Sequence, residues 1–273
     1  MNTKEYDFIC SLGGNCSGAS NLKQRGMRTF SLPFDWTYIK SGNAINNLAK
    51  CFQEGFKNFL LKENLQELTE DEYNRAHTDN AQYKDTYTGY YYVNHFSKKI
   101  DNSDEYEIVK TKLDRRIKRM LEYIDNSDKI LFVLSTCFQI EEEPLINLIN
   151  VLKELYPSKV FDIVSIAFSC EKDELIEHPN VKMFRYKRDN NVYDYIRTNY
   201  EWAFLDDVKF VNINKKVNIN EKEKPVLLKI KKVKRGISIH LFSKLPTIAA
   251  FKLYFFGIRF NFCLGKIKNG IEI

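Results

Sequence analysis

The stretch Lys129-Ile130-Leu131-Phe132-Val133-Leu134-Ser135, followed after a gap by Val160-Phe161-Asp162-Ile163-Val164-Ser165-Ile166, decides the fold class. Each is a mostly apolar run of strand length, and between them Leu145, Leu148, Ile149, Leu152 and Leu155 recur at helical spacing. Strand, helix and strand of this size predict a parallel β-α-β unit, because a parallel return needs a crossover of a dozen or more residues. Upstream, Tyr106, Val109, Leu113, Ile117, Met120, Leu121 and Ile124 mark a long amphipathic helix. Downstream, Val181 to Phe184 reads as another strand and Val192 to Trp202 as another helix. The expectation is an α/β fold, with α+β as the alternative.

Working back to the start of the chain, Tyr6 to Leu12 is a short apolar segment broken by Gly13-Gly14-Asn15, which predicts a strand entering a tight turn. A helix should follow, with Ala19 and Leu22 on one face and Gly26 placed to end it, so that Cys16 stands at its first turn. Ile45, Leu48, Ala49 and Phe52 give a second helix, and Thr69 with Glu72 forms a capping box that would open a third. The aromatic stretch Thr86 to Phe96 reads as a strand with His95 near its end.

The 273 residues are 44% hydrophobic, 14% aromatic and 29% charged, enough apolar and aromatic surface to exclude wholesale disorder. Charges interrupt the N-terminal residues before any signal-peptide core forms, and no 18 consecutive apolar residues occur, so neither a secretory signal nor a spanning helix is expected. Six cysteines without a C-x-x-C pair suggest free thiols in a reducing, cytoplasmic compartment. Charge is uneven: from Lys209 onward, fifteen Lys and Arg face three acidic residues, while the preceding part is net acidic. The expected division is a main domain at 1–208 and a basic, aromatic-rich extension at 209–273.

The Cys16 turn carries the clearest chemistry. A thiol attacks as a thiolate, and a helix N-terminus lowers its pKa through unpaired N–H groups and the dipole. Backbone N–H groups of Cys16 and Ser17, with the Asn15 side chain, could stabilise a developing oxyanion. The same cysteine is equally a small buried filler behind two glycines. Of four histidines, His77 ends a polar helix, His178 precedes Pro179 in a polar loop and His240 sits in the basic tail. His95, at the end of an aromatic strand, is therefore the candidate base, or else a hydrogen-bonded core histidine. The glycine spacing does not fit a dinucleotide fingerprint, no P-loop is present, and scattered histidines give no metal-ligand cluster, so neither cofactor nor metal is expected.

The run Ser11-Leu12-Gly13-Gly14-Asn15-Cys16-Ser17, with Leu22-Lys23 and Arg28-Thr29-Phe30-Ser31-Leu32-Pro33-Phe34-Asp35-Trp36, resembles the opening of a bacterial family, DUF1796, labelled papain-like cysteine peptidases. Asn94-His95-Phe96, Asp114-Arg115-Arg116-Ile117 and Ile130-Leu131-Phe132-Val133 resemble its middle section, so the likeness covers roughly 5–205. It implies Cys16 as nucleophile and His95 as its base. Asp101, Asn94 and Asp35 are polar candidates to orient the imidazole, and Asp35 with Trp36 either lines the site or pins a loop.

Two functions follow as expectations. One is a papain-like hydrolase or acyltransferase acting on an acyl, peptide or glycan-linked substrate. The other is an accessory protein of bacterial cell-surface polysaccharide biosynthesis that binds a ligand without catalysis. The tail, with Lys229, Lys231, Lys232, Lys234 and Arg235 beside Phe251, Tyr254, Phe255 and Phe256, suits the anionic inner face of a membrane. Packing against the acidic body is its alternative. Nucleic acid is the least favoured partner, because no nucleic-acid module is recognisable.

Overall fold

A computed structural model of the chain describes residues 4–69, 72, 80–101, 104–187 and 201–211, together with the backbone of four strands between 227 and 265. The chain divides into two compact units, Met1–Val217 and Asn218–Ile273.

The first unit is α/β. Its main sheet has the order β2 (Phe8–Ser11), β6 (Lys129–Thr136), β7 (Val160–Cys170), β9 (Val181–Lys187) and β8 (Glu174–His178), and all neighbours are parallel except the edge pair β8–β9. The crossover from β6 to β7 is α4 (Glu142–Leu155), as the apolar spacing demands. Alternation along the strands then assigns the two faces. Phe8, Cys10, Ile130, Phe132, Leu134, Phe161 and Ile163 pack with α2 (Asn43–Gln53), α3 (Glu105–Asp125) and α4. Ile9, Leu131, Val133, Val164 and Ile166 pack against Leu22 of α1 (Cys16–Gln24), Trp202 and Leu205. Burial on both faces explains why these strands read as continuous apolar runs; each large side chain so covered contributes about 1.5–3 kcal/mol.

A second, antiparallel sheet of β3 (Leu65–Glu67), β4 (Ala81–Asp85) and β5 (Tyr91–Phe96) lies between α2 and α3 in the chain. Here the structure departs from the sequence reading. The aromatic stretch 86–96 is half turn and half strand. Asp85 accepts the Tyr87 N–H at 2.9 Å and Gly89 takes φ +77°, so the chain reverses before Tyr91. A bulge then sets the five residues Tyr92 to Phe96 of β5 against the three residues Ala81 to Tyr83 of β4.

The predicted strand 6–12 is also divided. Its first part, β1 (Lys4–Tyr6), pairs with β10 (Val208–Phe210), whereas β2 pairs with β6. Asp7 makes the break, its carboxylate accepting the N–H groups of Asp128 and Lys129 at 2.9 and 3.0 Å. Thr69 and Glu72 form the reciprocal bond of a capping box, Thr69 N–H to the Glu72 carboxylate at 3.2 Å. The helix expected beyond it, and the one expected at 192–202, lie outside the described residues, except for Glu201 and Trp202 at the end of the latter, which form a turn.

The second unit contains two hairpins, β11 (Leu227–Val233) with β12 (Gly236–Phe242), and β13 (Thr247–Phe255) with β14 (Ile258–Gly265). No described helix is long and apolar enough to cross a membrane. The five described cysteines Cys10, Cys16, Cys51, Cys137 and Cys170 are free thiols.

Candidate functional site

Cys16 opens α1 directly beyond the carboxyl end of β2, the edge of a parallel sheet where ligands are ordinarily held. Two glycines make this placement feasible. Gly13 and Gly14 have φ of +77° and +86°. A Cβ on Gly13 would stand 2.6 Å from the Phe34 carbonyl oxygen, and one on Gly14 only 2.3 Å from that of Ser135. The turn is thus seated between the Pro33-to-Thr37 loop and the end of β6, and the Ser135 N–H continues the pairing by donating to Gly13 O at 3.2 Å.

Asn15 is the N-cap. Its backbone is extended and its Oδ1 accepts the Ser17 N–H at 2.9 Å and also the Ser17 hydroxyl, which in turn meets the Ser135 hydroxyl at 2.9 Å. The roles anticipated for Asn15 and Ser17 are therefore altered. The Ser17 N–H is consumed by the cap, whereas Asn15 Nδ2 remains a donor and reaches Cys137 Sγ at 3.6 Å.

The thiol of Cys16 is half-buried and faces Tyr38 and Cys137. Burial pushes its pKa up. A hydrogen bond from the Tyr38 hydroxyl and the residue's own N–H oppose that rise without overcoming it, and the nearby Cys137 adds to it. The expected depression by the helix terminus is thus outweighed by desolvation, and the resting group is a protonated thiol. Tyr38 and Cys137 were not anticipated. Cys137 carried a usable signal, since it follows the strand that pairs with β2, and adjacent parallel strands bring their carboxyl-end loops together. Tyr38 carried none.

His95 has different surroundings. It lies in the bulge of β5, 7% exposed, with its ring edge-on to Tyr92 at 5.1 Å and the charges of Lys112 and Arg116 on α3 facing it. Burial first, and those two cations second, push its pKa down to about 3, so the imidazole is neutral. Neither ring nitrogen has a hydrogen-bond partner among the described residues. Neither ring nitrogen is bonded to the Cys16 thiol; the nearest link along the chain is Tyr38, which touches Cys16 and is bridged to Tyr91, four residues before His95.

Asp35 is fully buried and accepts from Leu32 N–H and from Arg28 Nη1, both at 2.8 Å, which pins the 32–35 turn. Trp36 is partly exposed and carries the Arg28 guanidinium 5.3 Å from its ring centre. Both lie between Phe34 and Thr37, the two residues that the Gly13 turn meets. Asn94 is exposed, and so is Asp101.

No curated protein and no solved structure matches the chain. A family model does, over residues 7–171, a span that runs from the first residues of the sheet through β7 and includes both Cys16 and His95. With more than half of its length matched, the chain belongs to the family described as "Putative papain-like cysteine peptidase (DUF1796)".

Proposed function

We propose that the protein is a cysteine hydrolase or acyltransferase in which Cys16 is the nucleophile and His95 the base of a Cys-His dyad. The observation that carries the reading is the strand, two-glycine turn and helix that hold a half-buried, reachable thiol at a helix N-terminus on the open edge of a parallel sheet. Donors surround it: the Tyr38 hydroxyl, Asn15 Nδ2 and the Cys16 N–H.

In this reaction His95 accepts the thiol proton and the thiolate adds to a carbonyl carbon. Charge develops on the carbonyl oxygen, which the donors receive. Collapse expels the leaving group, protonated by His95, and leaves a thioester on Cys16 that water or a second nucleophile resolves. The His95 imidazole is neutral, as a base must be, but burial and then Lys112 and Arg116 hold its proton affinity low, so these cations have to be neutralised or moved for the transfer. Because the resting thiol is protonated and touches Tyr38 instead of an imidazole, the dyad has to form as substrate binds.

That same arrangement favours one alternative, a ligand-binding cleft without covalent chemistry, which is the form an accessory role in polysaccharide assembly would take. A panel of p-nitrophenyl esters and thioesters separates the two. Hydrolysis lost in both Cys16→Ala and His95→Ala supports the dyad, and hydrolysis unchanged by Cys16→Ala rejects it. For the basic 209–273 segment we propose contact with an anionic membrane surface. Co-sedimentation with anionic vesicles that weakens with salt supports it, and absence of co-sedimentation rejects it.

A further inference from the structure

Away from the Cys16 turn, α3 presents a row of cations. Lys112, Arg116 and Arg119 follow one another at spacings of four and three, which puts them on one side of the helix, each partly covered. Arg28 joins them from the loop after α1, its side chain only 9% exposed. Two aromatic rings hold the outer guanidiniums, Trp36 under Arg28 at 5.3 Å and Phe30 under Arg119 at 4.9 Å. Such packing fixes planar donors in place and limits their retreat into solvent.

Among the described residues, three carboxylates, Asp35, Glu105 and Glu122, act on the five cations Arg28, Lys112, Arg115, Arg116 and Arg119. Asp35 faces Arg28 and Arg116 and is already bonded to Arg28 Nη1 and Leu32 N–H. Glu105 faces Lys112 and already accepts from Ser97 N–H at 2.6 Å. Arg115, one position from Arg116, adds another positive charge. Burial and mutual repulsion accordingly push the pKa values of Lys112, Arg116 and Arg119 down.

A separate observation comes from the interior side of the row. His95, more than nine-tenths buried on β5, which packs against α3, feels the charges of Lys112 and Arg116 and has both ring nitrogens unpartnered among the described residues, and Arg28 Nε is likewise buried without an acceptor. A neutral imidazole always carries one N–H, and a buried donor left unmet is costly. The donors on this side therefore lack an acceptor that the described residues do not supply.

We propose that Arg28, Lys112, Arg116 and His95 form a binding site for a phosphate group, free or as a monoester. Two guanidiniums, an ammonium and an imidazole N–H approach from α3, β5 and the loop after α1. Donors from three directions suit a tetrahedral oxyanion, whereas a planar carboxylate is satisfied by a single arginine fork. The site does not depend on Cys16 being a nucleophile.

Calorimetric titration of the full chain with inorganic phosphate, phenyl phosphate and acetate tests this. Phosphate should bind in preference to acetate, Arg116→Gln and Lys112→Gln should each weaken it by about tenfold, and Cys16→Ala should leave it unchanged. Tighter binding of phenyl phosphate than of phosphate would assign the site to a monoester, and the reverse to the free ion. Circular dichroism of the two α3 variants guards against misfolding. Equal phosphate affinity in the wild type and in two folded α3 variants, or no phosphate binding at millimolar concentration, would overturn the proposal.

Discussion

Replacing Gly14 by alanine tests whether the Cys16 turn is built on a backbone approach that only glycine permits. Two costs add. The residue has φ +86°, a conformation that costs a side chain about 1–2 kcal/mol. The new Cβ would lie 2.3 Å from Ser135 O and 3.0 Å from Thr136 Cγ2, and since the nearer atom is backbone of β6, relief demands a shift of turn or strand, costing about 1–3 kcal/mol more. The expected loss is therefore roughly 2–5 kcal/mol. Gly26 provides the control. Its φ of +69° is similar, but a Cβ there meets nothing within 4 Å, so Gly26→Ala should cost only the conformational part, about 1–2 kcal/mol. Urea unfolding followed by tryptophan fluorescence reads both, because Trp202 is fully buried in the core beneath α1. If Gly14→Ala proved no more costly than Gly26→Ala, the close seating of the turn on β6 would be wrong.

Three further outcomes follow from the charged groups. Tyr38→Phe removes the hydrogen bond that holds the Cys16 pKa down, so the pH midpoint for iodoacetamide alkylation of Cys16 should move higher; an unchanged midpoint would remove Tyr38 from the site. The folded state keeps His95 neutral down to about pH 3, whereas the unfolded chain takes up a proton near its ordinary 6.5, so stability is lost as pH falls through that window. His95→Gln should flatten that loss in unfolding midpoints measured against pH. Asp35 acts in the opposite sense: burial raises it from 3.8 to about 6, so its ionisation costs stability as pH rises through that interval, and Asp35→Asn should remove that dependence.

The central fold was legible because β6, α4 and β7 obey one local rule: apolar residues at strand or helix period, with both strand faces covered. Cys16 was placed correctly on its turn for a similarly local reason, two glycines followed by a capping asparagine. The small strands were not legible. β3 has three residues and β8 alternates weakly, so their existence depends on partners remote from any local period. In 86–96, the turn chemistry of Asp85 and Gly89 overrides an aromatic run that reads as strand throughout. The electrostatics of the site were hidden for a different reason. Whether a thiol at a helix terminus is acidified depends on the balance of dipole against burial, and burial follows from Tyr38 and the β6 edge, which only tertiary packing brings there. The cations of α3 could be counted in sequence, but which buried group they act on has no sequence signature; His95 comes under their charge from the bulged strand β5.

The most direct test of the central claim is to look for the covalent intermediate. The chain is mixed with an activated ester or thioester, quenched within a turnover and mapped by peptide mass spectrometry. The account predicts an acyl group on Cys16 that decays by hydrolysis in the wild type, fails to form in Cys16→Ala and forms far more slowly in His95→Ala. Acylation confined to the exposed Cys137, or ester turnover undiminished in Cys16→Ala, would contradict it.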